Sequence, residues 1–365
     1  MKHTFLHTFF CLLYWLTLFN NLHAQDSTSH RKKGGFVVLP VLSTSPETSL
    51  SFGAIGMYLF KFNYKDTLTR TSNVQAYFIY TLRNQLLTSP SYTLFFNQEK
   101  YILRGNIAYF QFPEYFYGIG NSPLDKANRI GIDYELFRIE NRFLRKVKGN
   151  FFAGIQHRYL EIYNVKYPAG SLIDQINPVG KNGSSASGLG VVLLYDDRDN
   201  VVNTFKGTFV ELSTLSHGGI GGNSVYDVFR ADLRQFIPII PKKNHILGLQ
   251  FLGVFTTGAP PMIRQNAELG DDAIMRGYYR GRYRDRNYIA FQVEYRFPVW
   301  KFIGANAFVG TGSVAREISE FTNWLPNFGV GVRFMVNKKD RVNIRLDYGV
   351  GYQTSDIYLN LGEAF

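Results

Sequence analysis

From Gly35 to the C-terminus, apolar and polar residues alternate in runs of about ten, broken by Gly, Pro, Asn, Asp and Lys. The pattern is clearest near the end. Val342, Ile344, Leu346, Tyr348, Val350 and Tyr352 take every even position, while Arg341, Asn343, Arg345, Asp347, Gly349 and Gly351 take the odd ones. Side chains alternate across a strand with period two, so this run has one apolar face and one charged face. Phe328, Val330, Val332, Phe334 and Val336 alternate in the same way with Gly329, Gly331, Arg333, Met335 and Asn337. Ile289, Phe291, Val293, Tyr295 and Phe297 do so with Ala290, Gln292, Glu294 and Arg296. The last segment is expected to set Ile357, Leu359, Leu361 and Phe365 on one side. Long helical periodicity is absent from the whole stretch.

The turns divide the chain into about sixteen strands, near 35–46, 49–64, 70–83, 86–97, 101–112, 130–145, 151–166, 188–199, 207–217, 225–239, 245–257, 285–299, 304–315, 327–337, 341–353 and 356–365. A soluble sandwich also alternates. Here, however, aromatics gather near strand ends, the opposite face carries Arg, Glu, Asp and Gly, and the strands are long. A membrane strand needs about 9–11 residues, and only a closed barrel leaves no open edge in lipid. The expected class is therefore all-β: a transmembrane antiparallel barrel spanning 35–365. An even count puts both ends on one side. With both ends periplasmic, the long connections 113–129, 167–187, 258–284 and 316–326, each following an odd-numbered strand, are expected on the extracellular side.

Composition sharpens this. The 24 Tyr, 32 Phe and 34 Gly suit strands and tight turns. Lys2 and His3 precede an apolar run from Phe5 to Phe19, and Ala24-Gln25 offers a small residue at a cut. This reads as a signal peptide over 1–24, removed on export, followed by a short periplasmic segment, 25–34. The single cysteine, Cys11, lies inside the signal, so the mature chain has no disulfide or thiolate–metal site. The net charge of +12 is spread along the chain, which argues against a nucleic-acid partner and for charges lining a hydrated interior and loops.

Catalytic signals are thin. Ser216 and His217 are adjacent, so on a strand they point to opposite faces. Asp196, Asp197, Arg198 and Asp199 read as a solvated strand end and not as a metal site. Gly329-Val330-Gly331 opens no helix and is no nucleotide loop. No enzyme activity, metal or cofactor is expected.

One stretch stands apart. Residues 274–287 carry Arg276, Arg280, Arg282, Arg284 and Arg286 among tyrosines and glycines, between two strand-like runs. A loop of this kind suits a polar interior in which an arginine finds an acid. Met275-Arg276-Gly277-Tyr278 resembles the arginine-glycine-aromatic motif of BamA/TamA-type outer-membrane barrels, also called bacterial surface antigen domains. The likeness extends to Tyr195-Asp196-Asp197-Arg198-Asp199-Asn200 with Phe205-Lys206-Gly207, and to Glu294-Tyr295-Arg296-Phe297-Pro298. It also covers Gly329-Val330-Gly331-Val332-Arg333 and Ile344-Arg345-Leu346-Asp347-Tyr348-Gly349.

The resemblance implies that the loop folds into the lumen and that Arg276, Gly277 and Tyr278 lock it there. Glu294 is the implied partner. Gly310 stands where the family often has a second acid, leaving a single partner or Asp347 as substitute. Arg333 and Arg345 are further lumenal charges. Leu359, Leu361, Gly362 and Phe365 resemble the family's C-terminal insertion signal. The implied role is assembly or translocation of other proteins at the outer membrane, by strand templating at a weak seam between first and last strands and by disturbing the lipid. Nascent client proteins and a periplasmic or lipoprotein partner are then expected, because 25–33 leaves no room for a POTRA domain. A passive channel or structural barrel is the alternative.

Overall fold

The computed structural model describes residues 34–45, 49–66, 68–82, 84–264 and 267–365. The expected signal peptide and residues 25–33 lie outside the described residues. Seventeen strands join in one antiparallel sheet. They begin with β1 (Gly35–Ser45), β2 (Ser49–Phe60), β3 (Ser72–Thr81), β4 (Leu86–Thr88), β5 (Ser91–Phe96) and β6 (Tyr101–Phe116). Next come β7 (Ile130–Lys148), β8 (Phe151–Lys166), β9 (Ser184–Asp196), β10 (Gly207–Gly222), β11 (Tyr226–Ile240) and β12 (His245–Gly258). A separate two-stranded ribbon, β13 (Ala267–Glu268) and β14 (Arg284–Asp285), lies in the following loop. The sheet then ends with β15 (Asn287–Trp300), β16 (Ile303–Ala315), β17 (Leu325–Asn337), β18 (Val342–Gly351) and β19 (Thr354–Leu361).

Both β4 and β5 pair with β3 on one side and β6 on the other. They are halves of one stave, split at Ser89-Pro90, where proline has no N–H for a ladder. Seventeen strands less this split give sixteen staves. The strand expected at 285–299 is β15. Several bounds move: β6 runs on to Phe116, β9 starts at Ser184, and β10 reaches Gly222. A five-residue helix, α1 (Leu172–Ile176), sits in the loop between β8 and β9. The last strand stops at Leu361 and not at 365, because Gly362 turns with φ +86.

The period-two pattern sorts the faces as the alternation requires. Asn343, Arg345 and Asp347 of β18 point inward and are at most 6% exposed, whereas Tyr348 is 46% exposed on the outside. In β15, Gln292 and Glu294 are buried while Phe291 and Val293 are exposed. Phe52, Phe78, Phe143, Ile155, Val191, Phe229, Val309 and Phe328 continue the exposed apolar belt around the sheet. Soluble proteins rarely show so large an apolar surface, and a belt of this kind belongs in hydrocarbon. No helix among the described residues is long and apolar enough to cross a membrane; the strands do that work.

Hydrogen-bonded ladders run from β1 to β19 in order. Among the described residues, β1 pairs with β2 and β19 with β18, but no ladder joins β1 to β19. The two ends instead overlap. Val37, Leu39, Ile55, Met57 and Leu59, on the inward face of β1 and β2, pack against Val342, Ile344 and Leu361 from the outward face of β18 and β19. This seam is apolar and lapped. It lies toward the rim where the described chain begins and ends, since Gly35 approaches Asn337 and Asp340 of the turn after β17.

Candidate functional site

The segment 259–286 between β12 and β15 folds into the barrel. Its local geometry follows from a few residues. The Asp271 carboxylate accepts from the Ala273 and Ile274 amides, both at 2.7 Å, which sets a tight turn. Met275 and Gly277 then take left-handed backbone at φ +55 and +101, with Arg276 between them. Leu269, Ile274, Met275, Tyr278 and Tyr283 pack against Leu252, Tyr288, Ala290, Val314 and Leu325 of the wall. Burial of this apolar underside holds the loop down, and its polar top faces the lumenal charges.

Arg276 is fully buried. Nη1 donates to Asp347 Oδ2 at 2.5 Å and Nη2 donates to Glu294 Oε2. Its guanidinium lies 3.5 Å from the Phe308 ring centroid. Both acids are shared. Glu294 also accepts from Arg296 Nε at 2.7 Å, and Asp347 accepts from Arg333 and from Arg345 at 3.1 Å. Arg333 Nε reaches Glu363 at 3.1 Å, and Arg345 reaches Asp272 at 3.3 Å. Four arginines (276, 296, 333 and 345) thus meet four carboxylates (Glu294, Asp347, Glu363 and Asp272). A planar guanidinium suits such a site, since it bridges two acids and keeps its charge.

Glycines make room for the loop. A Cβ on Gly277 would sit 2.7 Å from the Gly349 carbonyl carbon and the Val350 nitrogen; one on Gly349 would sit 2.7 Å from that of Arg276. Gly277 N–H donates to the Tyr358 hydroxyl of β19 at 2.8 Å. Tyr278 OH donates to the Pro326 carbonyl at 2.7 Å and accepts from the Tyr352 amide at 2.9 Å. The motif therefore touches β15, β17, β18 and β19.

Three of the other loop arginines find acids. Arg284, 1% exposed at its side chain, donates to Glu114 of β6 on the far wall and lies 3.6 Å from Glu268. Burial works against its charge, but Glu114 and Glu268 more than offset this and hold its pKa above the usual value. Arg280 pairs with Glu268 at 3.1 Å and Arg286 with Glu317 at 3.9 Å. Arg282 has no acid among the described residues; it lies near the rings of Tyr117 and Tyr283.

The C-terminal tail departs from expectation. Ile357 and Leu359 face out, at 50% and 40% exposure, but Leu361 is buried in the seam and Phe365 is buried in the lumen. After the turn at Gly362, the Phe365 ring packs 5.8 Å from Phe236, and Arg296 Nη2 donates to its carbonyl at 3.1 Å. The four residues therefore do not share one side. Sequence reasoning also missed Arg296, Glu363, Tyr358, Arg264 and Glu114. Arg296 had a readable signal, being on the same strand face as Glu294. Asp196 and Arg198 are buried, not solvated as expected, because distant arginines close over this strand end: Asp196 binds Arg198 and Arg70, while Asp199 binds Arg341. Among the described residues no cluster fit to hold a metal ion occurs.

The Omp85 superfamily domain matches residues 62–365. The fold is similar to that of BamA from Haemophilus ducreyi lacking POTRA domains 1–3, with TM-score 0.55 and 12% identity over 91% of this chain and 69% of that one. It is also similar to CdiB from Acinetobacter baumannii, with TM-score 0.53 and 12% identity over 92% of this chain and 59% of that one. No protein with a curated description matches the sequence.

Proposed function

The chain belongs to the Omp85 superfamily of outer-membrane barrels, and from that membership we propose that it assembles or translocates other proteins at the outer membrane. In this reading the seam between β1 and β19 parts, a client strand pairs with a freed edge, and the bilayer beside it is disturbed. The lapped seam is the observation that carries the proposal. A ladder of hydrogen bonds fixes register, whereas an apolar overlap is non-directional and can slide or part without breaking a ladder. A freed strand edge is a ready template for another chain. Clients are nascent outer-membrane or secreted proteins, and a periplasmic or lipoprotein partner gathers them. Export by a cleaved signal near Ala24 belongs to the same proposal.

A passive channel has less support, because the 259–286 loop and the C-terminal tail occupy the lumen. The test is complementation in a depleted strain. Depletion should lower the outer-membrane proteome, and the wild-type chain should restore it. A variant with Met57→Cys and Leu361→Cys, tethered by a short bis-maleimide, should stay folded by heat-modifiable gel mobility yet fail to restore it. An unchanged proteome on depletion would sink the proposal, as would full rescue by the tethered barrel.

A further inference from the structure

The rim where the described residues begin and end is strongly basic. Seven turns lie on it, and each presents an exposed lysine. Lys65 and Lys100 stand in the turns after β2 and β5, and Lys148 closes β7 at the next turn. Lys206 follows β9, and Lys242 with Lys243 follow β11. Lys301 follows β15, and Lys338 with Lys339 follow β17. None of these lysines has an ion pair among the described residues.

Among the described residues, acids on this rim are fewer than the nine lysines, and all five have other partners, two of them arginines. Glu99 is taken by Arg70 and Asp199 by Arg341. The Asp66 carboxylate accepts from Thr69, that of Asp340 from Asn337, and that of Asp197 from the Thr208 amide. The opposite rim differs. There exposed charges mix in sign: Asp125 beside Lys126, Glu317 and Glu320 beside Arg316, and Asp227 and Asp356 apart. The net charge of +12 therefore does not only line the interior. Lumenal arginines are largely paired, and the unpaired excess collects on one rim.

Depth decides what the lysines meet. A band of aromatics lies just inside them on the outer face: Tyr58, Phe62, Phe143, Trp300 and Phe302 are all exposed. Some lysines rest against that band, with Lys100 Nζ 5.8 Å from the Tyr101 ring centroid and Lys301 Nζ 5.3 Å from that of Trp300. Aromatic belts mark the boundary of hydrocarbon and headgroups, so the lysines stand at headgroup depth. Their spread over all seven turns fits a continuous lipid surface better than one docked protein.

We propose that this rim is a binding surface for anionic phospholipid headgroups of the leaflet it faces. The lysine ammonium groups meet phosphate oxygens, and the ring holds a collar of acidic lipid around the barrel. The probe is a bilayer nanodisc of equal phosphatidylethanolamine and phosphatidylglycerol holding the purified barrel. Lipids retained after gentle release are counted by native mass spectrometry. Wild type should keep phosphatidylglycerol over phosphatidylethanolamine by about fivefold or more, the ratio expected from one lysine at an anionic surface. Lys242→Gln with Lys243→Gln, Lys338→Gln and Lys339→Gln strip two of the seven turns and should lower the ratio. Lys126→Gln with Lys166→Gln, on the opposite rim, should leave it unchanged. Raising salt should shrink the wild-type ratio, a readout that needs no variant to fold. Parity in wild type would overturn the proposal, and so would a ratio indifferent to salt or to the four substitutions. Saturable binding of an acidic protein by a wild-type barrel at lipid parity would assign the rim to a protein partner instead.

Discussion

Arg276 and Arg284 lie eight positions apart in one loop, both buried, and they grip opposite walls. Arg276 bridges Glu294 on β15 and Asp347 on β18. Arg284 reaches Glu114 on β6, where Arg264 also binds at 3.0 Å. The loop is therefore a strut across the lumen and not a plug hung from one side. Both ends are redundant: Glu294 keeps Arg296 and Asp347 keeps Arg345 if Arg276 is lost, and Glu114 keeps Arg264 if Arg284 is lost. They differ in reach, because the Arg276 end also holds Tyr358 of the seam strand. The Arg284 end anchors the loop to β6, in the N-terminal half of the barrel.

The largest effect should come from cutting both ends. With one end cut, the other still holds the loop on its apolar underside; with both cut, the burial of Leu269, Ile274, Tyr278 and Tyr283 is put at risk as well. Arg276→Ala together with Arg284→Ala should thus cost more than the sum of the single changes, with a coupling of about 1 kcal/mol or more in urea unfolding from lipid vesicles. Additivity within about 0.5 kcal/mol would mean that the two walls hold independent halves of the loop.

Within the Arg276 end, Glu294→Ala should be worse than Arg276→Ala. Removing the acid leaves Arg276, Arg296 and Arg333 buried and short of a partner, a loss of about 3–5 kcal/mol. Removing Arg276 leaves Glu294 with Arg296, and Asp347 with Arg333 and Arg345, so the cost should fall to about 2–3 kcal/mol. The reverse order would show that the shared arginines do not compensate, and that the cluster is a set of separate pairs.

These two ends also mark how far the sequence could be read. The Arg276 end was legible through the resemblance of Met275-Arg276-Gly277-Tyr278 to a family loop motif, which implied Glu294 with Asp347 as a substitute. Strict alternation agrees with it: Glu294 shares a face with Gln292 and Arg296, and Asp347 one with Arg345. Sixteen staves and the lumenal face followed from the same period. The Arg284 end was not legible, since its acid lies 170 positions away on a strand predicted to end at 112. Pairing across a barrel depends on closure, and local spacing does not encode it. The C-terminal tail failed for a different reason. Parity assumes an unbroken strand, and one left-handed glycine, Gly362, sends Phe365 inside. The lapped seam left no mark either, because Val37, Met57 and Leu361 read as ordinary strand residues.

The smallest effect should come from a charge that neither end uses. Asp285 follows Arg284 and is 7% exposed, but has no arginine partner among the described residues; its carboxylate accepts the Arg286 amide at 2.8 Å. Arg282 is the matching cation without an acid, three positions away, yet the loop keeps the two apart. Burial pushes the Asp285 carboxyl above the usual carboxylate range. A carboxyl with a raised folded pKa adds stability that is fully present below its unfolded pKa and is lost as pH rises through the folded one. At neutral pH the charged form is therefore a cost. Asp285→Asn keeps an oxygen for the Arg286 amide and removes that charge, so it should raise stability at neutral pH. The gain should shrink to nothing as pH falls below the usual carboxylate range. Unfolding of both proteins across that interval checks the sign: a variant less stable at neutral pH would mean that Asp285 serves the strut as an ion, and that the Arg284 end is broader than the Glu114 contact.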